Sequence, residues 1–316
     1  MSAKAMVRST IKGMHTLVNM TVMVIVLALL VFSAYALWDS SQLFREAVKS
    51  NYTVFKPAKE DNGKSFRELQ TINAEVIAWL SVYGTNIDYP VTQGEDNMKY
   101  VTMNAEGQYS LTGAIFLDSD NCKRFSDFNS ILYGHHMEKK AMFGEIGSFA
   151  DQEVFETHPY GNLHFDEKDH GIEFFAFVQT DAYDYLMFSA NVSQEKRTDY
   201  LNNILAEALF IREDVTVNTD DQLILLNTCS SASTNGRDVL VGRLVDDVFD
   251  NSFKSRVEND IVDSGLFTQN SLAQWLILIL IVIILVFLLV LLCKRNKKRR
   301  ANQGQFSATV PCNNRD

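Results

Sequence analysis

The chain is poor in cysteine. Four occur in 316 residues, at positions 122, 229, 293 and 312. None belongs to a CxxC pair and no Cys/His run has ligand spacing, which argues against a zinc site. The acidic residues are spread out, and no clustered loop of the calcium-binding kind occurs. No metal and no cofactor is expected. Internal repeats are also lacking, which sets repeat architectures aside. Acid is missing from one further place: the N-terminal segment before Leu17 carries Lys4, Arg8 and Lys12 and no Asp or Glu.

Two long apolar runs are present. Leu17 to Leu37 is apolar apart from Asn19, Thr21 and Ser33, and Leu272 to Cys293 is nearly pure Leu, Ile and Val with Trp275 near its start. Each meets the roughly 20 residues that a membrane-spanning helix needs. Seven basic residues follow the second run against one acid, Asp316. Positive flanks at both outer ends predict two cytoplasmic termini and an extracellular middle. That middle carries 19 basic and 38 acidic residues, a net charge of −19 that the −10 of the whole chain conceals. Such a domain is a poor partner for nucleic acid and does not dock tightly on anionic lipid. Ala34-Tyr35-Ala36 resembles a signal-peptide cleavage site, but the run is longer than the usual apolar region of about 7–15 residues, which favours an uncleaved anchor. The expected organisation is a cytoplasmic tail at 1–16, a span at 17–37, a stalk at 38–64, a folded extracellular domain at 65–247, a linker at 248–271, a second span at 272–293 and a basic cytoplasmic tail at 294–316.

Within the folded domain, Ser65 is placed to cap a helix to about Leu80, with Phe66, Leu69, Ile72, Val76 and Leu80 at spacings of three or four. Strands are expected at 86–91, 113–117, 129–134, 172–179, 185–189, 222–228 and 238–245, with loops and short helices filling 137–161. An amphipathic helix is expected over 193–211, presenting Leu201, Ile204, Leu205, Ala208 and Leu209 on one face. Seven or eight short strands predict a closed or nearly closed β-barrel with that helix inserted between two of them.

The chemistry gathers at strand ends. Leu223-Ile224-Leu225-Leu226 reads as a buried strand that runs through Asn227 and Thr228 to Cys229. A polar loop follows, and Arg237 opens the next apolar run, Val239 to Val245. His135 and His136 follow another strand end at Gly134. A thiolate attacks carbonyls, an imidazole can exchange its proton, and a guanidinium can stabilise an oxyanion. Read singly, each residue has an ordinary explanation. Cys229 and Cys122 are the two extracellular cysteines and can form a disulfide, a strand-end histidine can be a surface group, and Arg243 rivals Arg237.

Taken together, the motifs carry a resemblance. Tyr133-Gly134-His135-His136-Met137, then Met142-Phe143-Gly144, and Leu226-Asn227-Thr228-Cys229 followed eight residues on by Arg237, resemble the sortases. Asn86-Ile87-Asp88-Tyr89-Pro90-Val91 with Gln93-Gly94 and Asp96-Asn97, Gly113-Ala114-Ile115-Phe116-Leu117-Asp118, and the inserted helix at 193–211 are similar to the class B branch. The resemblance covers about residues 65–246. It implies a mainly β fold: a closed eight-stranded sortase barrel with N-terminal helices, an inserted helix between two late strands, and two flanking transmembrane helices. It also implies a membrane-anchored cysteine transpeptidase of Gram-positive bacteria. Cys229 would attack a C-terminal sorting signal of a secreted protein, His135 would act as acid and then base, and Arg237 would stabilise the substrate carbonyl or oxyanion. Asn97, Val101, Asn227 and Thr228 would contribute to the substrate groove, with Val101 alternatively in the core. The implied acceptor is an amine, from a peptidoglycan precursor or, since a second span is more usual in pilin-polymerising members, from a pilin lysine. Asn227 departs from the serine often found two residues before the cysteine. The readings that compete are a plain cysteine peptidase and a non-catalytic, disulfide-bonded receptor or adhesin domain.

Overall fold

The computed structural model describes residues 3–47, 51–58, 64–137, 140–229 and 235–253. The expected second span, the basic tail and most of the linker lie outside the described residues. Helix α1 spans Ala3–Ala47. Its stretch Met6–Asp39 is 34 residues long and apolar enough to cross a membrane. At about 1.5 Å per residue it exceeds the ~30 Å hydrocarbon thickness. Leu17, Val31 and Phe32 are each about two-thirds exposed, so among the described residues these side chains have no covering neighbour. It ends at the folded domain, where Ala47 is buried.

Nine strands follow among the described residues: β1 (Val76–Val82), β2 (Asp88–Thr92), β3 (Ile115–Leu117), β4 (Asn129–Tyr133), β5 (Tyr160–Phe165), β6 (Lys168–Asp181), β7 (Ala208–Ile211), β8 (Gln222–Cys229) and β9 (Gly236–Val245). Eight of them close a ring in the order β5, β1, β2, β3, β4, β8, β9, β6, with β6 pairing back to β5. The pairs β2–β3 and β4–β8 are parallel and the other contacts of the ring are antiparallel. β7 is a ninth strand laid on β6 opposite residues 176–178.

Because strand side chains alternate between faces, β8 and β9 serve two cores at once. Ile224, Leu226 and Leu240 pack inside the barrel with Leu80, Ile115 and Leu132. Leu223, Leu225, Val239 and Val241 pack outside it, with Ile131, Phe175, Tyr200 and Ile204. The outer core lies under helix α4 (Arg197–Glu207), whose Tyr200, Leu201 and Ile204 are buried. Being buried on both faces, β8 reads as a continuous apolar run.

Several sequence-based expectations need correction. The helix expected over 65–80 is two elements: α2 (Lys64–Ile72) and strand β1. Asn73 divides them, with its side chain bonded to Tyr100 Oη, the Ala105 carbonyl and the Glu75 N–H. Beyond it nearly every residue of β1 is buried, as a strand packed on both faces requires. The segment 185–189 is not a strand. Tyr185 is exposed, and the Asp184 carboxylate accepts from the N–H groups of Leu186 and Met187, closing a turn. The helix expected over 193–211 is helical only to Glu207, and Ala208–Ile211 is β7, anchored by Phe210 stacking on Phe155. The span 137–161 holds a short helix, α3 (Gln152–Thr157), and leads into β5, a strand the sequence did not announce.

Candidate active site

The parallel pairing of β4 with β8 sets Tyr133 opposite Asn227, and Gly134 N–H donates to the Asn227 carbonyl at 3.2 Å. Counting two residues on, His135 corresponds to Cys229. On the other side of β8, Cys229 pairs directly with Arg237 of β9. Neighbouring strands lie about 4.8 Å apart, so Cys229 and Arg237 close the β8–β9 pair at one rim and His135 follows two residues after the end of the adjacent β4. By the two-residue repeat, positions 227, 229 and 237 fall on the outer face, where α4 packs lower down.

Each partner reaches this rim for a local reason. Gly134 is required because an added Cβ would lie 2.6 Å from the Phe143 ring. Gly113 has φ +62°, and a methyl there would lie 2.6 Å from the Tyr100 carbonyl oxygen and 3.1 Å from His135 Cε1. These two glycines let the chain fold closely around the His135 ring. His135 is half-buried and His136 exposed. Burial pushes the His135 imidazole below its usual pKa, so it is mostly neutral at pH 7. Arg237 is half-buried, donates from Nη1 to the Gly236 carbonyl at 3.0 Å, and has no ion pair among the described residues. Arg243 is engaged elsewhere. Its Nε lies 2.8 Å and its Nη2 2.7 Å from Glu173 Oε2, and Nη1 donates to the Thr216 carbonyl at 2.9 Å. Six residues along a strand put it roughly 20 Å from Arg237.

Two buried polar groups flank Cys229. Among the described residues Asn227 Oδ1 and Thr228 Oγ1 have no hydrogen-bond partner, although the residues are only 4% and 2% exposed. Thr228 alternates to the barrel interior, while Asn227 shares the face of position 229. Asn97 belongs to a polar chain beside β4: its Nδ2 donates to Asp118 Oδ2 at 2.9 Å, and its Oδ1 accepts from Ser119 N–H. The Tyr133 hydroxyl also donates to Asp118 Oδ2, at 3.0 Å. Burial first and the Asp118 carboxylate second push the Tyr133 phenol well above its usual pKa. Val101 is half-buried against the interior core, and its carbonyl helps confine Gly113. Sequence reasoning passed over Tyr133 and Asp118. Their contact joins residues 15 apart through the β3–β4 pairing, which no local pattern reveals.

The disulfide reading fails on distance. Cys122 is a free thiol. It adjoins Asn121, whose Oδ1 accepts from Ile131 N–H on the side of β4 away from β8. Ile131 pairs with Leu225, four residues below Cys229, a rise of about 13 Å. A disulfide needs Cα atoms about 4.4–6.8 Å apart.

A closed eight-stranded barrel with a cysteine, a histidine and an arginine at neighbouring strand ends suits cysteine-based acyl transfer, and comparison with known proteins gives the family. No family model matches the chain. It is 29% identical over 210 residues to sortase B of Listeria monocytogenes, covering 65% of this chain and 85% of that protein. It is similar to the structure of a mutant form of Clostridium perfringens sortase B, with 30% identity, a TM-score of 0.59, and coverage of 62% of this chain and 96% of that one. It also matches a Streptococcus pyogenes class B sortase involved in pilus biogenesis, with 36% identity, a TM-score of 0.54, and coverage of 58% and 99%. The chain belongs to the class B sortases, which makes it a cysteine transpeptidase.

Proposed function

We propose that this sortase cleaves a C-terminal sorting signal of secreted proteins, with Cys229 as nucleophile, His135 as proton carrier and Arg237 as oxyanion partner. The observation that carries the reading is the register of β4, β8 and β9, which pairs Cys229 with Arg237 and leaves His135 two residues past the Tyr133–Asn227 pair. His135 first takes the Cys229 thiol proton, and the sulfur, now a thiolate, adds to the scissile carbonyl carbon. The oxygen takes the electron pair and is met by the Arg237 guanidinium, which is not neutralised by a carboxylate among the described residues. Collapse breaks the C–N bond, and protonated His135 gives its proton to the leaving amine. A thioester remains. Neutral His135 then takes a proton from an incoming amine as its nitrogen displaces the sulfur and forms the new amide.

The domain is held at the membrane by α1. In the fuller topology both termini are cytoplasmic and the segment 272–293 is a second span, supported by the basic flanks at both ends. Asn97 and Asn227 border the groove that reads the signal, with Thr228 and Val101 supporting it from the core side. The acceptor is the amine of a peptidoglycan precursor, so that the product is anchored to the cell wall. A pilin lysine is the second reading, favoured by the likeness to a class B sortase involved in pilus biogenesis.

The test uses the full chain in detergent with a library of five-residue signal peptides, each with and without an acceptor carrying either an α-amine or a lysine ε-amine. New amide product is expected, and none from Cys229→Ala. Hydrolysis alone at saturating acceptor refutes transpeptidation. Preference for the ε-amine selects the pilin reading.

A further inference from the structure

The loop that carries His135 returns on itself through Met142 and Phe143. Phe143 N–H donates to the His135 carbonyl at 3.1 Å, and Met142 forms an isolated bridge with His136. Met142 pays for this return with a φ of 51°, a left-handed conformation that a non-glycine residue keeps only where its surroundings hold it. The group that holds it is the Tyr89 hydroxyl, which accepts from Met142 N–H at 3.2 Å. The same hydroxyl donates to the carbonyl of Ala47, the last residue of α1, at 2.9 Å. Tyr89 is 2% exposed and Met142 3% exposed, so water does not substitute for either bond. A continuous chain of hydrogen bonds and peptide units therefore runs from the end of the anchor helix, through one phenol, to the backbone of His135.

We propose that Tyr89 is a positioning residue for His135: its hydroxyl fixes the left-handed turn at Met142 and so holds the imidazole in its half-buried place at the rim. The proposal rests on His135 being the proton carrier for its effect on turnover. It needs only the geometry above for its effect on the ring. When the turn is released, the ring gains water and loses the burial that keeps it neutral.

Tyr89→Phe keeps the ring and removes only the hydroxyl. Tyr200→Phe is a matched control. Tyr200, on α4, is equally buried, donates to the Met187 carbonyl at 2.8 Å and accepts from Asn129 Nδ2 at 3.1 Å, with no bond to the Met142 turn among the described residues. In the full chain in detergent micelles, imidazole NMR should show the His135 titration moving up by about 0.5 pH unit or more in Tyr89→Phe and staying in place in Tyr200→Phe. The Met142 amide should exchange about tenfold faster in Tyr89→Phe alone, the loss expected for one buried hydrogen bond. In turnover, kcat should fall about tenfold with KM within about twofold, because the hydroxyl touches no substrate. A His135 titration unmoved in Tyr89→Phe, or moved equally in both variants, overturns the proposal. The titration is read without substrate. Normal turnover in His135→Ala would therefore sink the functional reading while leaving the role of Tyr89 to be decided by the ring itself.

Discussion

Arg237 and Arg243 stand on one strand, six residues apart, on the same face, and their surroundings differ in kind. Around Arg243 the charges are matched: it pairs with Glu173, and near that end of the barrel His164 pairs with Asp169, Arg67 with Glu167 and Lys168 with Asp246. At the other rim Arg237 turns back on its own preceding carbonyl and meets no carboxylate among the described residues. The neighbouring Asn227 Oδ1 and Thr228 Oγ1 are buried without partners among the described residues. An unpartnered buried polar group costs about 1–3 kcal/mol. The charge-matched end serves the stability of the fold. In the proposed function, the rim at Cys229 keeps its charge and part of its polar inventory for a ligand.

The comparison breaks most sharply at the histidines. His135→Ala should lower kcat/KM by about 10²–10⁴-fold, the range for loss of a general acid–base. The adjacent His136→Ala should stay within a few-fold, since its side chain is exposed. Steady-state kinetics with one signal peptide measures both, and equal losses would assign the role to the wrong ring.

The arginines test the contrast directly. Arg237→Lys should cost about 10- to 100-fold in kcat, because a point charge does not reproduce a planar fork of donors. It should leave thermal unfolding nearly unchanged. Arg243→Met should do the reverse, lowering stability by about 1–3 kcal/mol through the lost bonds to Glu173 and Thr216, with kcat within about twofold of wild type. Wild-type turnover in Arg237→Lys would remove the asymmetry between the two ends.

These contrasts show what the sequence discloses and what it does not. The β8–β9 hairpin was legible because strands buried on both faces leave unbroken apolar runs, 223–226 and 239–241. The rim was legible because its three residues each follow such a run or a glycine. β1 was misread because spacings of three and four over 66–80 fit a helical stripe, and the divider, Asn73, acts through bonds to residues 27 and 32 positions away. β5 has the two-residue burial alternation of a strand, but Gly161, Asn162 and His164 obscure it. Tyr89 reaches 53 residues forward to Met142 and 42 back to Ala47. Such contacts exist only once the barrel has closed, as does the choice between Arg237 and Arg243.

A pH measurement sharpens the same picture. His135 is held below its usual pKa by burial, so the unfolded chain binds the proton more readily than the folded one. As pH falls below the unfolded value of about 6.5, the unfolded state gains protons first and stability is lost. The drop in unfolding temperature between pH 7 and pH 5.5 should therefore be smaller in His135→Gln than in wild type. An identical drop would mean that the ring is as solvated when folded as when unfolded.

The smallest effect is expected at Asn227, where stability and binding should move in opposite directions. Its Oδ1 is buried and has no partner among the described residues, so replacing the amide by an apolar group of similar shape removes a desolvation cost and breaks no described bond of that oxygen. Asn227→Leu should raise the unfolding free energy by up to about 1 kcal/mol. If the oxygen is kept for a donor on the sorting signal, the same change should raise KM about fivefold to tenfold with little change in kcat, since the lost bond is made in the ground state as well as in the transition state. Denaturant unfolding of the full chain and initial rates over a range of peptide concentrations give the two numbers. A variant that gains stability with KM unmoved would make Asn227 a tolerated packing defect. Loss of both would make it a structural residue whose oxygen is already satisfied.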